Sequence, residues 1–154
     1  MARIEPISVD AFFETALPLM VAHREELTTN KELMQLNPRV DVYDQLEGTG
    51  ALLALAAYDD DGEIVGYSVN IVSPNLHYAD VLQCQNDLLF TAEHARSKVG
   101  LALVRATEAE AKARGCRLML WHAKPASAMS RLMQAECDRG RSRVQDVVYS
   151  KELI

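Results

Sequence analysis

The sequence predicts a single α/β domain that spans residues 1–154. The main observation is a strand (Val81 to Thr91), a helix (Val99 to Arg114) and a second apolar strand (Cys116 to Ala123), which together make a right-handed βαβ unit with two parallel strands. The second observation is a clear β-hairpin within residues 51–72. The composition, with 49% hydrophobic and 25% charged residues, is that of a globular protein with a real core.

The first elements are a short strand from Ala2 to Ile7 and a helix that begins after Ser8 or Asp10 as its N-cap. Pro18 falls inside this helical pattern, and the pattern predicts one bent helix with a kink or restart at the proline.

Residues 22–48 are polar and predict two short helical segments. The first begins at the capping box Thr29 to Glu32 and ends at Asn37-Pro38, and the second runs from Val42 to Leu46 before Gly48.

The hairpin has strands at Ala51 to Tyr58 and at Glu63 to Val72, joined by an acidic turn at Asp59 to Gly62. The acidic turn does not predict a calcium site, because Ala57 and Tyr58 stand where a calcium loop would begin. We expect a solvated turn.

A loop at Ser73 to Tyr78 leads to the βαβ unit, which contains a candidate anion site at the basic turn 95–100. The turn carries Arg96 and Lys98 and ends in Gly100, where a helix begins. The first N–H groups of a helix have no partner within it, and the helix dipole adds partial positive charge there. The pattern therefore predicts a cradle for a ligand that bears phosphate.

The chain closes with a helix from Ser127 to Cys137 and a final strand from Ser142 to Leu153. The apolar strand before them, Cys116 to Ala123, is expected to be covered on both faces.

The charges are unevenly distributed. Residues 1–93 carry 4 Lys or Arg against 16 Asp or Glu, whereas residues 94–143 carry 11 against 4. A net charge of −6 argues against a nucleic-acid partner, while the basic second part suits a small polyanionic cofactor.

Other patterns predict a cytoplasmic protein without a membrane span or a metal. The longest apolar run, residues 51–58, is far shorter than the roughly 20 residues that span a bilayer, and the N-terminal residues are acidic where a signal peptide is basic. The three cysteines form no CxxC pair, and the four histidines are scattered without metal-binding spacing.

The order of elements and several motifs resemble the GNAT family of N-acetyltransferases, and most closely its bacteriophage-type members. The motifs are Val65-Gly66-Tyr67, Asn86 to Phe90, Arg96 to Val104 and Val148 to Lys151. The resemblance implies a mixed, mostly antiparallel central sheet that is splayed between its fourth and fifth strands, with helices on both faces. It also implies acetyl-CoA as co-substrate, an amine as acceptor, and a homodimer as one option for an oligomeric state that the sequence leaves open.

The resemblance implies that acetyl-CoA, the acetyl donor, is bound by two consecutive segments. They are the end of the fourth strand and the cradle, with the residues Leu89, Phe90, Thr91, Arg96, Ser97, Lys98, Val99, Gly100 and Leu101. The chain departs from the family pattern in the cradle, because Ala95 replaces Gln or Arg and Lys98 replaces the first glycine. Lysine adopts a positive φ less readily than glycine, which indicates a remodelled cradle.

Three residues are candidates for proton transfer. Asp87 lies before Phe90 on the fourth strand and has the better position by analogy with the family, whereas His122 follows the fifth strand and has the better intrinsic pKa, ~6.5. The tyrosine that protonates the leaving thiolate in many relatives is absent from its usual place, and Tyr149 is the substitute. Each of the first two residues also has a purely structural alternative. Asp87 then only forms hydrogen bonds near Asn86, and His122 is only packed or solvated at the end of its strand.

Three functions fit these residues. The first is an acetyl-CoA-dependent N-acetyltransferase for the primary amine of a small molecule or protein. The second is a GNAT-like protein that has lost catalysis and binds a protein partner, and the third is a domain that binds another phosphorylated ligand.

Overall fold

The computed structural model describes residues 2–153, except for the side chain of Ser97. The chain divides into two compact units, residues 1–122 and residues 123–154. None of the helices in the described part of the chain is both long and apolar enough to cross a membrane.

The first unit contains a five-stranded sheet in the order β1-β2-β3-β4-β5. The strands are β1 (Arg3–Pro6), β2 (Leu52–Tyr58), β3 (Ile64–Pro74), β4 (Leu82–Thr91) and β5 (Leu118–Leu120). The pairs β1–β2, β2–β3 and β3–β4 are antiparallel, whereas β4 and β5 are parallel. The hairpin and the parallel strand–helix–strand unit predicted from the sequence are both confirmed.

Helices cover both faces of this sheet. The helices of the unit are α1 (Val9–Thr15), α2 (Leu17–Leu27), α3 (Val40–Gly48) and α4 (Arg96–Ala113). α1 and α2 pack on one face against Leu52 and Ala56, and α4 packs on the other face against Leu53 and Leu55. β2 is almost entirely apolar because its alternating side chains enter two different cores.

The first helical region is two helices, so the prediction of one bent helix is wrong. Ser8 caps α1 by accepting a hydrogen bond from Ala11 N–H at 3.2 Å. Ala16 ends α1 and also begins α2, whose first turn contains Pro18. Proline fits there because the first turn of a helix needs no N–H donor within the helix.

The helix predicted after the capping box at Thr29 is absent from residues 28–39. Asn30 has a φ of 54°, in the left-handed region that ends a helix, and only a single turn follows it. The Arg24 side chain donates to the carbonyls of Lys31 and Met34, at 2.8 and 3.0 Å. It thereby occupies the Lys31 carbonyl, which would accept from the N–H of Gln35 in a helix. The second segment does form a helix, α3, which is longer than predicted.

β5 is short, and the expectation that both its faces are covered is wrong. Its three residues are exposed or half-buried. Gly115 follows the C-cap residue Arg114 of α4 and has a φ of +91°, the left-handed conformation that commonly ends a helix.

The second unit contains α5 (Ala128–Asp138), which confirms the predicted last helix. Ser127 caps it by accepting from Ser130 N–H at 3.1 Å. The final strand predicted at Ser142 to Leu153 does not form, because residues 142–153 have no strand partner in the described chain and an unpaired strand is unstable. Val148 and Tyr149 within it are 87% and 89% exposed.

Candidate active site

The sheet opens between β4 and β5. The two strands pair only from Gln83 to Gln85, opposite Leu118 to Leu120. Beyond Gln85, β4 continues to Thr91 without a β5 partner. The predicted splay between the fourth and fifth strands is therefore confirmed, and it leaves one edge of the second half of β4 open.

Two backbone N–H groups point into this opening. Ala92 N–H donates to the carbonyl of Val65 on β3 at 2.8 Å, and alternate residues of an antiparallel strand face the same partner. Phe90 therefore faces β3 with Ala92, whereas the N–H groups of Leu89 and Thr91 face the opposite side. N–H groups that point into such an opening suit the oxygen of a developing oxyanion.

The open half of β4 leads directly into the N-terminus of α4. A 3₁₀ turn, Glu93–Ala95, connects them, and the N-cap residue Ala95 has no side chain that could cap the helix. The helix begins at Arg96 and not at Val99 as predicted, so the basic residues Arg96 and Lys98 lie in its first turn. Their charges add to the positive end of the helix dipole.

The cradle needs no glycine at the position of Lys98. Lys98 is helical and exposed, and the only non-glycine residues with positive φ in the described chain are Asn30 and Ala126. Gly100 is also helical, and a Cβ there would meet Thr91 at 3.9 Å, an ordinary contact. The substitution that suggested a remodelled cradle thus leaves the helix geometry intact.

The other residues predicted to bind acetyl-CoA have different environments. Val99 on α4 is buried in the core, whereas Leu101 on the same helix is 44% exposed. Phe90 is buried on the opposite face of the sheet, so its ring does not face the α4 core. The side chain of Ser97 lies outside the described part of the chain.

Arg96 is already engaged within the protein. Its guanidinium forms an ion pair with Glu26 of α2 at 2.7 Å, donates to the carbonyl of Thr91 at 3.1 Å, and lies over the ring of Phe90 at 5.6 Å. Arg96 therefore ties α2 to the end of β4 and the start of α4, and Lys98 is the more accessible of the two cations.

Asp87 occupies a β-bulge at the beginning of the opening. The register of β3 and β4 passes from Val69 opposite Leu88 to Asn70 opposite Asn86, so Asp87 has no partner across the sheet. Its side chain is exposed. Tyr43 of α3 donates a hydrogen bond from its hydroxyl to Asp87 Oδ2 at 2.5 Å.

The two other predicted catalytic residues are both exposed. His122 lies two residues beyond Leu120, and Asp87 lies two residues beyond the Gln85 that pairs with Leu120. Both residues therefore lie just beyond the point at which the pairing of β4 with β5 ends. Tyr149 belongs to the second unit and is 89% exposed.

The sequence did not reveal a polar and aromatic cluster on the α2 side of β4. His23 stacks on Phe90 with ring centroids 4.7 Å apart, and its Nδ1 lies 2.8 Å from the hydroxyl of the buried Tyr67. Burial raises the pKa of the Tyr67 phenol, so the hydroxyl stays protonated at neutral pH. His23 and Tyr67 are separated by 44 residues, so no local motif connects them.

Comparisons with known proteins place this geometry among acetyltransferase structures. A ribosomal-protein-alanine N-acetyltransferase from Brucella melitensis biovar Abortus 2308 superposes with a TM-score of 0.70 at 18% identity, covering 99% of each chain. An aminoglycoside acetyltransferase from an uncultured soil metagenomic sample gives 0.73 at 17% identity, covering 100% of this chain and 99% of that chain. The fold is that of GNAT acetyltransferases.

More distant sequences share the same GNAT fold. Glucosamine-6-phosphate N-acetyltransferase from Arabidopsis thaliana gives a TM-score of 0.69 at 9% identity, covering 100% of this chain and 99% of that chain. No model of a protein family and no curated protein matches the sequence. The similarity therefore lies in three-dimensional structure, which the sequence motifs reflect only in part.

Proposed function

We propose that the protein transfers an acetyl group from acetyl-CoA to a primary amine. The observation that carries this proposal is the continuous path from the open edge of β4 to the uncapped N-terminus of α4. The first part offers N–H groups to a carbonyl oxygen, and the second offers positive potential to a pyrophosphate. Acetyl-CoA has its thioester at one end and its pyrophosphate further along the same molecule. Its binding site therefore needs both the N–H groups of β4 and the positive end of α4, one after the other.

The reaction requires little covalent chemistry from the protein. The neutral amine nitrogen attacks the thioester carbonyl carbon and forms a tetrahedral intermediate with an oxyanion. The C–S bond then breaks, CoA leaves as a thiolate, and the thiolate takes up the proton that the nitrogen loses on becoming an amide. Leu89 and Thr91 N–H groups stabilise the oxyanion, and Asp87 or His122 accepts the proton that the incoming ammonium loses. Tyr149 stays a prediction for the group that protonates the thiolate.

The acceptor is proposed to be cationic. The fold neighbours are described as acting on a protein alanine, an aminoglycoside and glucosamine 6-phosphate, and each of these offers an amino group. In this chain residues 1–93 are strongly acidic, which favours a positively charged amine over a neutral one. The resemblance to bacteriophage-type members of the family, the cytoplasmic location and the homodimer stay predictions.

Isothermal titration of acetyl-CoA into the purified protein is the first test. We expect saturable binding that is weakened at least tenfold by Lys98→Glu, which places a negative charge in the first turn of α4. Lys112→Glu is the matched control, because it makes the same charge change near the other end of the same helix and should leave binding unchanged.

A thiol-release assay with a panel of amines then separates the three functions. Release of CoA that depends on an amine supports the transferase. Binding without release with any amine favours a GNAT-like binding protein, and absence of binding at millimolar acetyl-CoA would overturn the proposal and leave another phosphorylated ligand for the cradle.

A further inference from the structure

Asp87 is presented by a backbone bulge that is fixed from inside the protein. The Asn86 side chain is buried, and its Nδ2 donates to the carbonyl of Leu88 at 3.0 Å, across the bulge that contains Asp87. The same amide donates to Asn70 Oδ1 at 2.9 Å. The backbone on both sides of Asp87 is therefore held to β3.

The network continues into α4. Asn70 Nδ2 lies 2.9 Å from Ser68 Oγ, and Thr107 Oγ1 lies 2.9 Å from the same Ser68 oxygen. All of these side chains are buried, and Thr107 belongs to the helix whose N-terminus forms the cradle. The position of the bulge is thus coupled to the position of α4.

Tyr43 fixes the Asp87 carboxylate from outside. Its hydroxyl donates to Asp87 Oδ2 at 2.5 Å, and its ring lies 5.5 Å from the ring of Phe13 on α1. Burial, followed by the hydrogen bond to Asp87, raises the pKa of the Tyr43 phenol, so it remains a donor at working pH. A carboxylate accepts about four hydrogen bonds, so one bond from Tyr43 leaves capacity for a ligand.

The surroundings of this pair favour a cationic ligand. The Asp87 carboxylate is exposed, and Asp87 lies two residues beyond Gln85, the last β4 residue that pairs with β5. An ammonium group bound by Asp87 would lie beside the open edge of β4, where the proposed acyl donor presents its carbonyl carbon.

We propose that Tyr43 is a positioning residue that holds the Asp87 carboxylate as the receptor for the ammonium group of the acceptor. This inference rests on the proposed function for its chemical consequence, but amine binding at Asp87 does not require turnover. Tyr43 touches neither reacting atom, and it acts by restricting the carboxylate to one orientation before the acceptor arrives.

The test compares Tyr43→Phe with Tyr58→Phe. Tyr43→Phe keeps the packing of the ring on Phe13 and deletes only the hydroxyl. Tyr58→Phe makes the same deletion in a tyrosine whose ring contacts Arg3 of β1. We expect Tyr43→Phe to raise the KM for the amine roughly tenfold, with acetyl-CoA affinity unchanged, as expected when one hydrogen bond that orients a charged group is lost. Tyr58→Phe should behave as the unsubstituted protein.

A second measurement does not depend on transfer. The NMR signal of the Asp87 side-chain carboxyl carbon is followed as spermidine is added, with Asp87→Asn to assign the signal. We expect a saturable shift in the unsubstituted protein and a shift at roughly tenfold higher spermidine in Tyr43→Phe.

The two measurements separate the two proposals. A saturable shift without any acetylation would overturn the transferase and leave Asp87 as an amine receptor. Acetylation with an unchanged amine KM in Tyr43→Phe would overturn the role of Tyr43 and leave the transferase. Neither a shift nor acetylation would overturn both.

Discussion

Replacing Asn86 with Ala tests whether the buried polar network is responsible for the stability of the bulge. Asn86 is 3% exposed, and its amide supplies hydrogen bonds to Asn70 Oδ1 and to the carbonyl of Leu88. Alanine removes this donor and leaves both acceptors inside the sheet. Asn70 is fully buried, so its Oδ1 is not expected to recover a full partner, whereas the half-buried Leu88 carbonyl recovers part of its hydrogen bonding from water.

The magnitude follows from the number of acceptors affected. A buried polar group that loses its partner costs about 1–3 kcal/mol, and two groups are affected, with partial relaxation at the bulge. We therefore expect Asn86→Ala to lower the free energy of unfolding by about 2–4 kcal/mol. This is a large part of the 5–15 kcal/mol or so that is typical of a domain.

Urea unfolding followed by circular dichroism measures this change. With a slope of about 2 kcal/mol per molar, the midpoint should fall by about 1–2 M. Gln85→Ala is the matched control, because Gln85 is the exposed neighbour on the same strand and should change the free energy of unfolding by less than about 0.5 kcal/mol. Equal free energies for the two variants would refute the role of the network.

Two further changes test the electrostatics. Glu26→Gln removes the carboxylate that pairs with Arg96, so acetyl-CoA binding measured by calorimetry should tighten roughly twofold to fivefold at low salt and less at high salt. Glu25→Gln, whose carboxylate pairs with Arg24, is the control, and an equal effect there would contradict the explanation. Burial raises the pKa of the Cys84 thiol to about 12, so the unfolded chain loses this proton first and stability should decline above about pH 8.5 as the pH rises toward 12. Cys84→Ala should reduce that decline in urea unfolding measured at several pH values, and an unchanged decline would show that other groups cause it.

The sequence predicted the elements whose signals are local. The alternation and turn residues of the hairpin at residues 51–72 and the helix cap at Ser8 both depend on neighbours in the chain. The basic turn before the helix at residues 96–104 also predicted the cradle, because strand, turn and helix follow one another there, whereas the splayed sheet was implied only by the resemblance to the GNAT family.

The sequence failed where a distant contact decides the local structure. The capping box at Thr29 predicts a helix, but Arg24 takes the carbonyls of the following turn. Residues 142–153 have the composition of a strand, but a strand also requires a partner, and none pairs with them in the described chain.

The sequence by itself determined the order of the elements from β2 to α5, the basic character of the α4 N-terminus and the presence of Asp87 on the fourth strand. Only the tertiary structure decided what these residues do. It places Glu26 against Arg96, Tyr43 against Asp87 and His23 against Phe90. Each pair joins α2 or α3 to residues more than forty positions away, and local periodicity carries no record of a contact over that separation because packing of the whole sheet creates it.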